Sequence, residues 1–306
     1  MQKKYTAKLL LFGEHTIIQG SSALALPFGD YYGIWSDQLN TVPKNDHSKS
    51  SLDSLKNILG YLKGLKNKQE LKSTLNLDKF EKDINSNLWF YSNIPTGYGL
   101  GSSGAVCAAI YDRYCNTPEN ELTKLKDALA QLEGCFHGRS SGVDPLVCYL
   151  NQMLLLKSDK EITALPTPNL SNLTGAAIFL VDTGVSRQTT PLVNYFLEQS
   201  QIEDFYKNCV FPLSKSTDIA ITAFMQKDLP SLLEQTNILS EIQYIYLKKM
   251  ILPEFWDIWQ NGLKNNSYSL KLCGAGGGGF ILGFTADWER TKRELSKQQL
   301  KLVLAL

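Results

Sequence analysis

The stretch Ile94-Pro95-Thr96-Gly97-Tyr98-Gly99-Leu100-Gly101-Ser102-Ser103-Gly104-Ala105 constrains this chain more than any other. An apolar, aromatic run (Leu88, Trp89, Phe90, Tyr91) enters it and predicts a strand. An Ala-rich run from Ala105 to Tyr114 leaves it and predicts a helix. Glycines at 97, 99, 101 and 104 permit a tight turn and close approach of backbone to a ligand. Ser102 and Ser103 stand where helix caps belong, beside N–H groups that have no partner inside the helix. A helix start of this kind is an anion site, and phosphate is the obvious anion.

Three readings compete for the loop. Gly99-x-Gly101-x-x-Gly104 satisfies the dinucleotide fingerprint literally, a reading that NADH binding without ATP binding would favour. That fingerprint requires a strand after the helix. Here Thr117-Pro118 and a second helical pattern, Leu122 to Cys135, follow instead. A P-loop is excluded because no Lys-Ser or Lys-Thr pair closes the turn. The plain alternative is a helix N-terminus with a glycine turn and no ligand.

Composition bounds the partners. Thirty-one basic side chains against 30 acidic ones give a net charge of +1, so no polyanion-binding surface and no nucleic-acid partner are expected. Apolar runs are short, which argues against a membrane span, and Leu9 to Phe12 is too short for a signal peptide behind Met1-Gln2-Lys3-Lys4. Six cysteines, at 107, 115, 135, 148, 209 and 273, show no CxxC spacing. They are expected to be reduced and structural, which fits a cytoplasmic protein.

Along the chain, residues 5–12 predict a buried strand broken by Gly13-Glu14-His15. Thr16-Ile17-Ile18 resumes it, and Ala23–Pro27 and Tyr31–Ser36 predict two more strands. Lys8 inside the first strand is costly unless an anion meets it, with snorkelling at a strand end as the bland alternative. For His15, a structural hydrogen-bonding role stands beside a ligand role. Residues 37–50 predict a polar loop and Ser51 to Leu65 a helix. Glu133 closes a helical pattern, and Asp144 precedes Pro145, which biases it away from helical dihedrals and places it in a constrained turn. A constrained Asp suits a general base, and a Glu near a phosphate loop suits magnesium. Each alone is more often a cap or turn residue.

Met153–Leu156 predicts a strand, and the polar stretch 158–174, with Pro166 and Pro168, predicts the domain joint. The expected domains are therefore 1–165 and 166–306. Ala176–Val181 predicts a strand, residues 190–264 are helical by period, and Ser269–Cys273 predicts a strand. The latter meets a second glycine loop, Gly274-Ala275-Gly276-Gly277-Gly278-Gly279, before a strand at Phe280–Phe284 and a charged terminal helix capped by Asp287.

Four motifs occur in order: Lys8-x-x-x-x-Gly13-Glu14-His15, Pro95-x-x-x-Gly99-Leu100-Gly101-Ser102-Ser103, His137-Gly138-x-x-Ser141-Gly142-Val143-Asp144 and Lys271-Leu272-x-Gly274-Ala275-Gly276-Gly277-Gly278-Gly279. Together they resemble the GHMP small-molecule kinases, and within that family the mevalonate kinases. The resemblance implies an α/β (α+β) two-domain architecture: an N-terminal α/β domain of ribosomal-protein type carrying the phosphate loop, and a C-terminal ferredoxin-like domain, with the active site between them. It implies ATP and Mg2+ as cofactors and a small hydroxy acid as substrate, with mevalonate ahead of phosphomevalonate, homoserine or a sugar. It also allows a homodimer. By the same resemblance, Asp144 is the catalytic base and Lys8 its cation. Pro95, Gly97, Gly99, Leu100, Gly101, Ser102, Ser103, Gly104 and Ala105 hold ATP, and Ser103 and Glu133 hold magnesium. Glu14, His15, Arg187, Thr189, Gly276 and Gly277 then face the acceptor. The chain departs from the family where Ser103-Gly104-Ala105 replaces the common Ser-Ala-Ala. It departs again after Asp144, where Lys157 is the cation offered in place of the family's basic residue.

Overall fold

Apolar runs become strands and amphipathic runs become helices in a computed structural model that describes residues 2–37, 46–138, 140–157, 161–166, 175–186 and 189–306. These residues fall into two compact units. The first is Met1–Leu9, Leu26–Pro95 and Leu100–Met153, and the second is Leu10–Ala25, Thr96–Gly99 and Leu154–Leu306.

In the first unit, the opening of β1 (Tyr5–Phe12) is buried, so Lys8 is enclosed on a strand with no solvent face. The second half of β2 (Ala23–Ser36) pairs antiparallel with β3 (Trp89–Ser92), Gly33 opposite Ser92 and Ser36 opposite Trp89. Helices α1 (Asp46–Asn67), α2 (Leu77–Asn85), α3 (Ser102–Tyr114), α4 (Leu122–His137) and α5 (Val143–Leu150) complete it. Every residue from Gly104 to Tyr111 is buried, and α3 packs against α2, α4 and α5. A helix apolar on all sides belongs inside a core, which is why α3 forms from an Ala-rich run. Helix α2 is built by Leu77, Phe80 and Ile84 on one face. Asn76 caps it by accepting the Lys79 N–H at 2.9 Å.

In the second unit, the start of β2 pairs antiparallel with β4 (Met153–Leu156), Ala23 opposite Leu156, and β5 (Ile162–Leu165) lies beside β4. A separate antiparallel sheet contains β6 (Ala177–Asp182), β7 (Ser269–Leu272), β8 (Phe280–Thr285) and β9 (Gln299–Ala305) in the order β7-β8-β6-β9. Between β6 and β7 run α6 (Thr189–Gln199), α7 (Glu203–Phe205), a π turn at Tyr206–Val210, α8 (Phe211–Gln226), α9 (Leu229–Tyr246) and α10 (Trp256–Asn265). Helix α11 (Trp288–Glu294) links β8 to β9. Strand, helices, strand, strand, helix, strand in this spatial order is the ferredoxin-like arrangement the motifs led us to expect.

Several local expectations are corrected. Thr16–Gln19 is a 3₁₀ turn ended by Gly20 at φ 91°, not a resumed strand. The two strands expected at Ala23–Pro27 and Tyr31–Ser36 are one. Pro27 falls between the residues paired with β4 and those paired with β3, where a strand tolerates a missing N–H. Asp144 lies in the first turn of α5, not in an extended turn, because Pro145 occupies a first-turn position where its absent N–H is not needed. The expected terminal helix is only α11, and β9 follows it. All six cysteines are free. Burial pushes the thiols of Cys107 and Cys148 well up, as expected of packing residues. Among the described residues, no helix is long and apolar enough to cross a membrane.

The energetics of α2 can be checked directly. Phe80→Ala empties a fully buried site and should cost about 3–5 kcal/mol, whereas Asn76→Ala removes one cap for about 1 kcal/mol. Urea denaturation of the two variants should return that order, and equal losses would contradict this account of the helix.

Candidate active site

In the first unit, chemistry gathers where the glycine loop becomes α3. The Lys8 N–H donates to the Leu100 carbonyl at 2.9 Å, which lays the loop along β1. Gly101 then turns at φ 72° as the cap of α3, with no side-chain cap hydrogen bond. The Ala105 N–H donates to its carbonyl at 2.9 Å. The Lys8 ammonium meets the Asp144 carboxylate at 2.8 Å, with the lysine side chain 8% exposed and the aspartate 30%. Lys8 is therefore neutralised where it is buried, while Asp144 keeps an open side.

Glycine is required for this arrangement. A Cβ on Gly104 would stand 2.8 Å from the Asp144 carbonyl carbon and from the Pro145 nitrogen, and 3.0 Å from the Asp144 Cβ. A Cβ on Gly101 would stand 3.3 Å from the Asp144 Cβ and 3.5 Å from the Lys8 Cβ. The first turn of α3 thus rests directly on Asp144, and Cys148 of α5 approaches the Gly101 carbonyl at 4.0 Å. First-turn N–H groups of α3 and one carboxylate are thereby brought to the same place.

Beside them, the Ser103 hydroxyl donates to Glu133 Oε1 at 2.8 Å. Glu133 is buried in the last turns of α4. The Ser140 hydroxyl donates to the other carboxylate oxygen, Oε2. Ser103 and Glu133 supply a hydroxyl and a carboxylate, hard oxygens of the kind Mg2+ takes when water and substrate phosphate fill the rest of its shell. Among the described residues, no group of three or more His, Cys, Asp or Glu could hold a metal. The two oxygens fit part of a magnesium shell and leave its other positions to water or a ligand.

In the second unit, the turn Gly13-Glu14-His15 and the second glycine loop are bound together. Glu14 Oε1 and the Lys271 ammonium lie 2.6 Å apart with side chains 3% and 2% exposed. The ammonium also donates to the Leu272 carbonyl at 2.9 Å. Burial pushes the Glu14 carboxyl up, against the pull of the Lys271 ammonium and of the Glu14 and Gly274 amides. His15 is buried with φ 63° and its ring lies 4.9 Å from that of Phe196. Positive φ is uncommon outside glycine and tends to cluster at functional sites. The loop from Gly274 to Gly279 is held by its own amides. The Gly277 N–H donates to the Met250 carbonyl at 2.7 Å and the Gly279 N–H to the Val185 carbonyl at 2.7 Å. A Cβ on Gly276 would strike the Met250 carbonyl oxygen at 2.6 Å, and one on Gly279 would lie 2.9 Å from the Tyr98 carbonyl oxygen. Tyr98, in the first glycine loop, packs edge-on against Phe280 with ring centroids 5.1 Å apart.

The structure therefore brings together Lys8, Asp144, Gly101, Gly104, Ser103 and Glu133 in one unit. In the other it brings together Glu14 and the loop bearing Gly276 and Gly277. Pro95 is half-buried behind the buried Ile94, and Leu100 and Ala105 are buried. Arg187 lies outside the described residues, and Thr189 is described only as the start of α6. Lys157 is exposed and paired with Glu161 at 3.1 Å. Sequence reasoning missed Ser140 and the pairing of Lys271 with Glu14. Because losing one partner of a buried pair strands a charge, Lys271→Met should lower the unfolding free energy by about 3–5 kcal/mol. Adding Glu14→Leu to that variant should recover part of the loss. With Glu14→Leu measured alone as well, a double variant whose loss equals the sum of the two single losses would rule out an energetically coupled pair.

The profile of the GHMP kinases N terminal domain matches residues 64–152. A mevalonate kinase of Dictyostelium discoideum is 24% identical over 382 residues, covering 99% of this chain and 91% of that protein. A mevalonate kinase of Pyrococcus abyssi is 24% identical over 304 residues, covering 93% and 88%. The crystal structure of L. major mevalonate kinase in complex with R-mevalonate superposes with a TM-score of 0.64 at 17% identity, covering 99% of this chain and 94% of that one. Residues 64–152 thus match the N-terminal domain of the GHMP kinases, and over nearly its whole length the chain is similar to mevalonate kinases in sequence and in fold.

Proposed function

We propose that the protein transfers the γ-phosphoryl group of ATP to the hydroxyl of a small hydroxy acid, and that this acid is mevalonate, giving 5-phosphomevalonate. The observation that carries the proposal is the Lys8–Asp144 pair resting against the glycine-lined start of α3. A phosphate site needs N–H donors, and an attacking alcohol needs a base within reach. Both requirements meet at Asp144. The mevalonate kinases among the relatives, together with Gly13-Glu14-His15 and the motif ending at Asp144, favour mevalonate as acceptor.

Phosphoryl transfer depends on positioning and charge neutralisation more than on covalent chemistry. In this reading the loop from Pro95 to Ala105, including Gly97, Gly99, Leu100 and Ser102, surrounds the phosphates, with the first-turn amides of α3 as donors. Asp144 takes the proton as the acceptor oxygen bonds to the γ-phosphorus and the bond to ADP breaks. The Lys8 ammonium holds that carboxylate in place and offers positive charge beside it. Ser103 and Glu133 would hold Mg2+, which when bound neutralises phosphate charge. Glu14, His15, Arg187, Thr189, Gly276 and Gly277 are assigned to the acceptor side by family resemblance.

The test is ADP release from purified protein with Mg2+ and ATP across mevalonate, phosphomevalonate, homoserine and galactose. Mevalonate should turn over fastest. A faster rival would reassign the acceptor, and no turnover with any would overturn the reading. Asp144→Asn should lower kcat by about 10²–10⁴-fold with nucleotide binding, followed by calorimetry, retained. A near-normal kcat would remove Asp144 from the role of base. Gly104→Ala should leave the circular dichroism unchanged but lower kcat by about 10²-fold, because displacing a reacting group by about 1 Å costs that much. Wild-type turnover in that variant would show that the contact with Asp144 does not matter.

A further inference from the structure

The Glu133 carboxylate is gripped from both sides, and the second grip leads to Asp144. Ser103 donates to Oε1 at 2.8 Å, and Ser140 donates to Oε2. The same Ser140 oxygen accepts the Gly142 N–H at 2.9 Å. Gly142 is the cap of α5, turned at φ 75°, and the Leu146 N–H donates to its carbonyl at 3.1 Å. It is also wedged against α4, where a Cβ would stand 2.3 Å from the Lys126 carbonyl oxygen and 2.9 Å from the Ala130 Cβ. Two residues beyond Gly142 stands Asp144. One hydroxyl therefore fixes the carboxylate of α4 and the first turn of α5 at once, using its single proton on Glu133 and a lone pair on Gly142.

We propose that Ser140 is a positioning residue that couples the magnesium-binding carboxylate Glu133 to the helix start presenting Asp144, so that metal and base are held in one register. The proposal rests on the kinase reading above. A carboxylate that ligates a metal is oriented by the hydrogen bond on its other oxygen, and losing such a partner costs about 10–100-fold in metal affinity or activity. The neighbouring Ser141 does not share the role. Its hydroxyl accepts the Val143 N–H at 3.4 Å and belongs to the turn itself.

The experiment compares wild type with Ser140→Ala and Ser140→Thr by calorimetric titration of ATP, with and without MgCl2, alongside kcat at saturating acceptor. Ser140→Ala should bind metal-free ATP as wild type does, while its MgATP affinity and kcat each fall by about 10–100-fold. Ser140→Thr, which keeps the hydroxyl, should restore most of both. Wild-type MgATP affinity and kcat in Ser140→Ala would overturn the proposal. So would an equal loss of affinity with and without magnesium, the signature of a purely structural residue. Should Ser140→Ala fail to fold, Ser140→Cys, of similar volume and with a poor donor, carries the same comparison. Failure of wild type to bind MgATP would instead overturn the kinase reading and this assignment with it, so the two failures are distinguishable.

Discussion

The first turn of α3 lies on Asp144 with no side chain between them, and the chemistry of the first unit depends on that closeness. Gly104 is a poor helix residue, less favourable than alanine by about 1 kcal/mol. It is tolerated because a methyl there would collide with the backbone at Asp144 and Pro145. The departure from Ser-Ala-Ala at Ser103-Gly104-Ala105 thereby acquires a physical reason. Lys8 supplies the other half of the constraint. Its amide fixes the loop through Leu100, while its ammonium fixes the carboxylate. A buried lysine needs a counter-charge, and here it places that counter-charge beside a row of N–H donors.

The two glycine loops solve different problems. The first ends as a helix whose cap makes no side-chain hydrogen bond, so its amides are directed at whatever lies before α3. The second uses its amides on Met250 and Val185 and accepts from Thr183 at Gly279, with Thr183 N at 3.0 Å and Oγ1 at 2.7 Å. Its glycines serve close packing, against Met250 and Tyr98, more than anion binding. The Glu14–Lys271 pair anchors the start of that loop in a region from which water is excluded.

Much of this was legible in the sequence. The strand, glycine loop and helix around Gly101 announced themselves, as did the strands flanking Gly274–Gly279, because apolar runs bounded by glycine leave few alternatives. Lys8 demanded an anion, and Asp144 is that anion. The strand β9 also had a signal, Leu300, Leu302 and Leu304 alternating, obscured by the charged helix before it. Asp144 was misplaced locally because the rule for residues before proline yields in the first turn of a helix. Ser140 and the Glu14–Lys271 pair could not be read at all. A serine in a Ser-Gly turn looks like any other, and the ion pair joins residues far apart in sequence through tertiary packing alone.

The central claim is that Asp144, held by Lys8 against the start of α3, is the group that receives the proton of the attacking hydroxyl. A crystal structure of the protein with mevalonate and a non-hydrolysable ATP analogue tests it most directly. The account predicts the Asp144 carboxylate within hydrogen-bond reach of that hydroxyl, with the terminal phosphate at the N–H groups of α3. A carboxylate turned away from the hydroxyl, or a phosphate bound elsewhere, would contradict it.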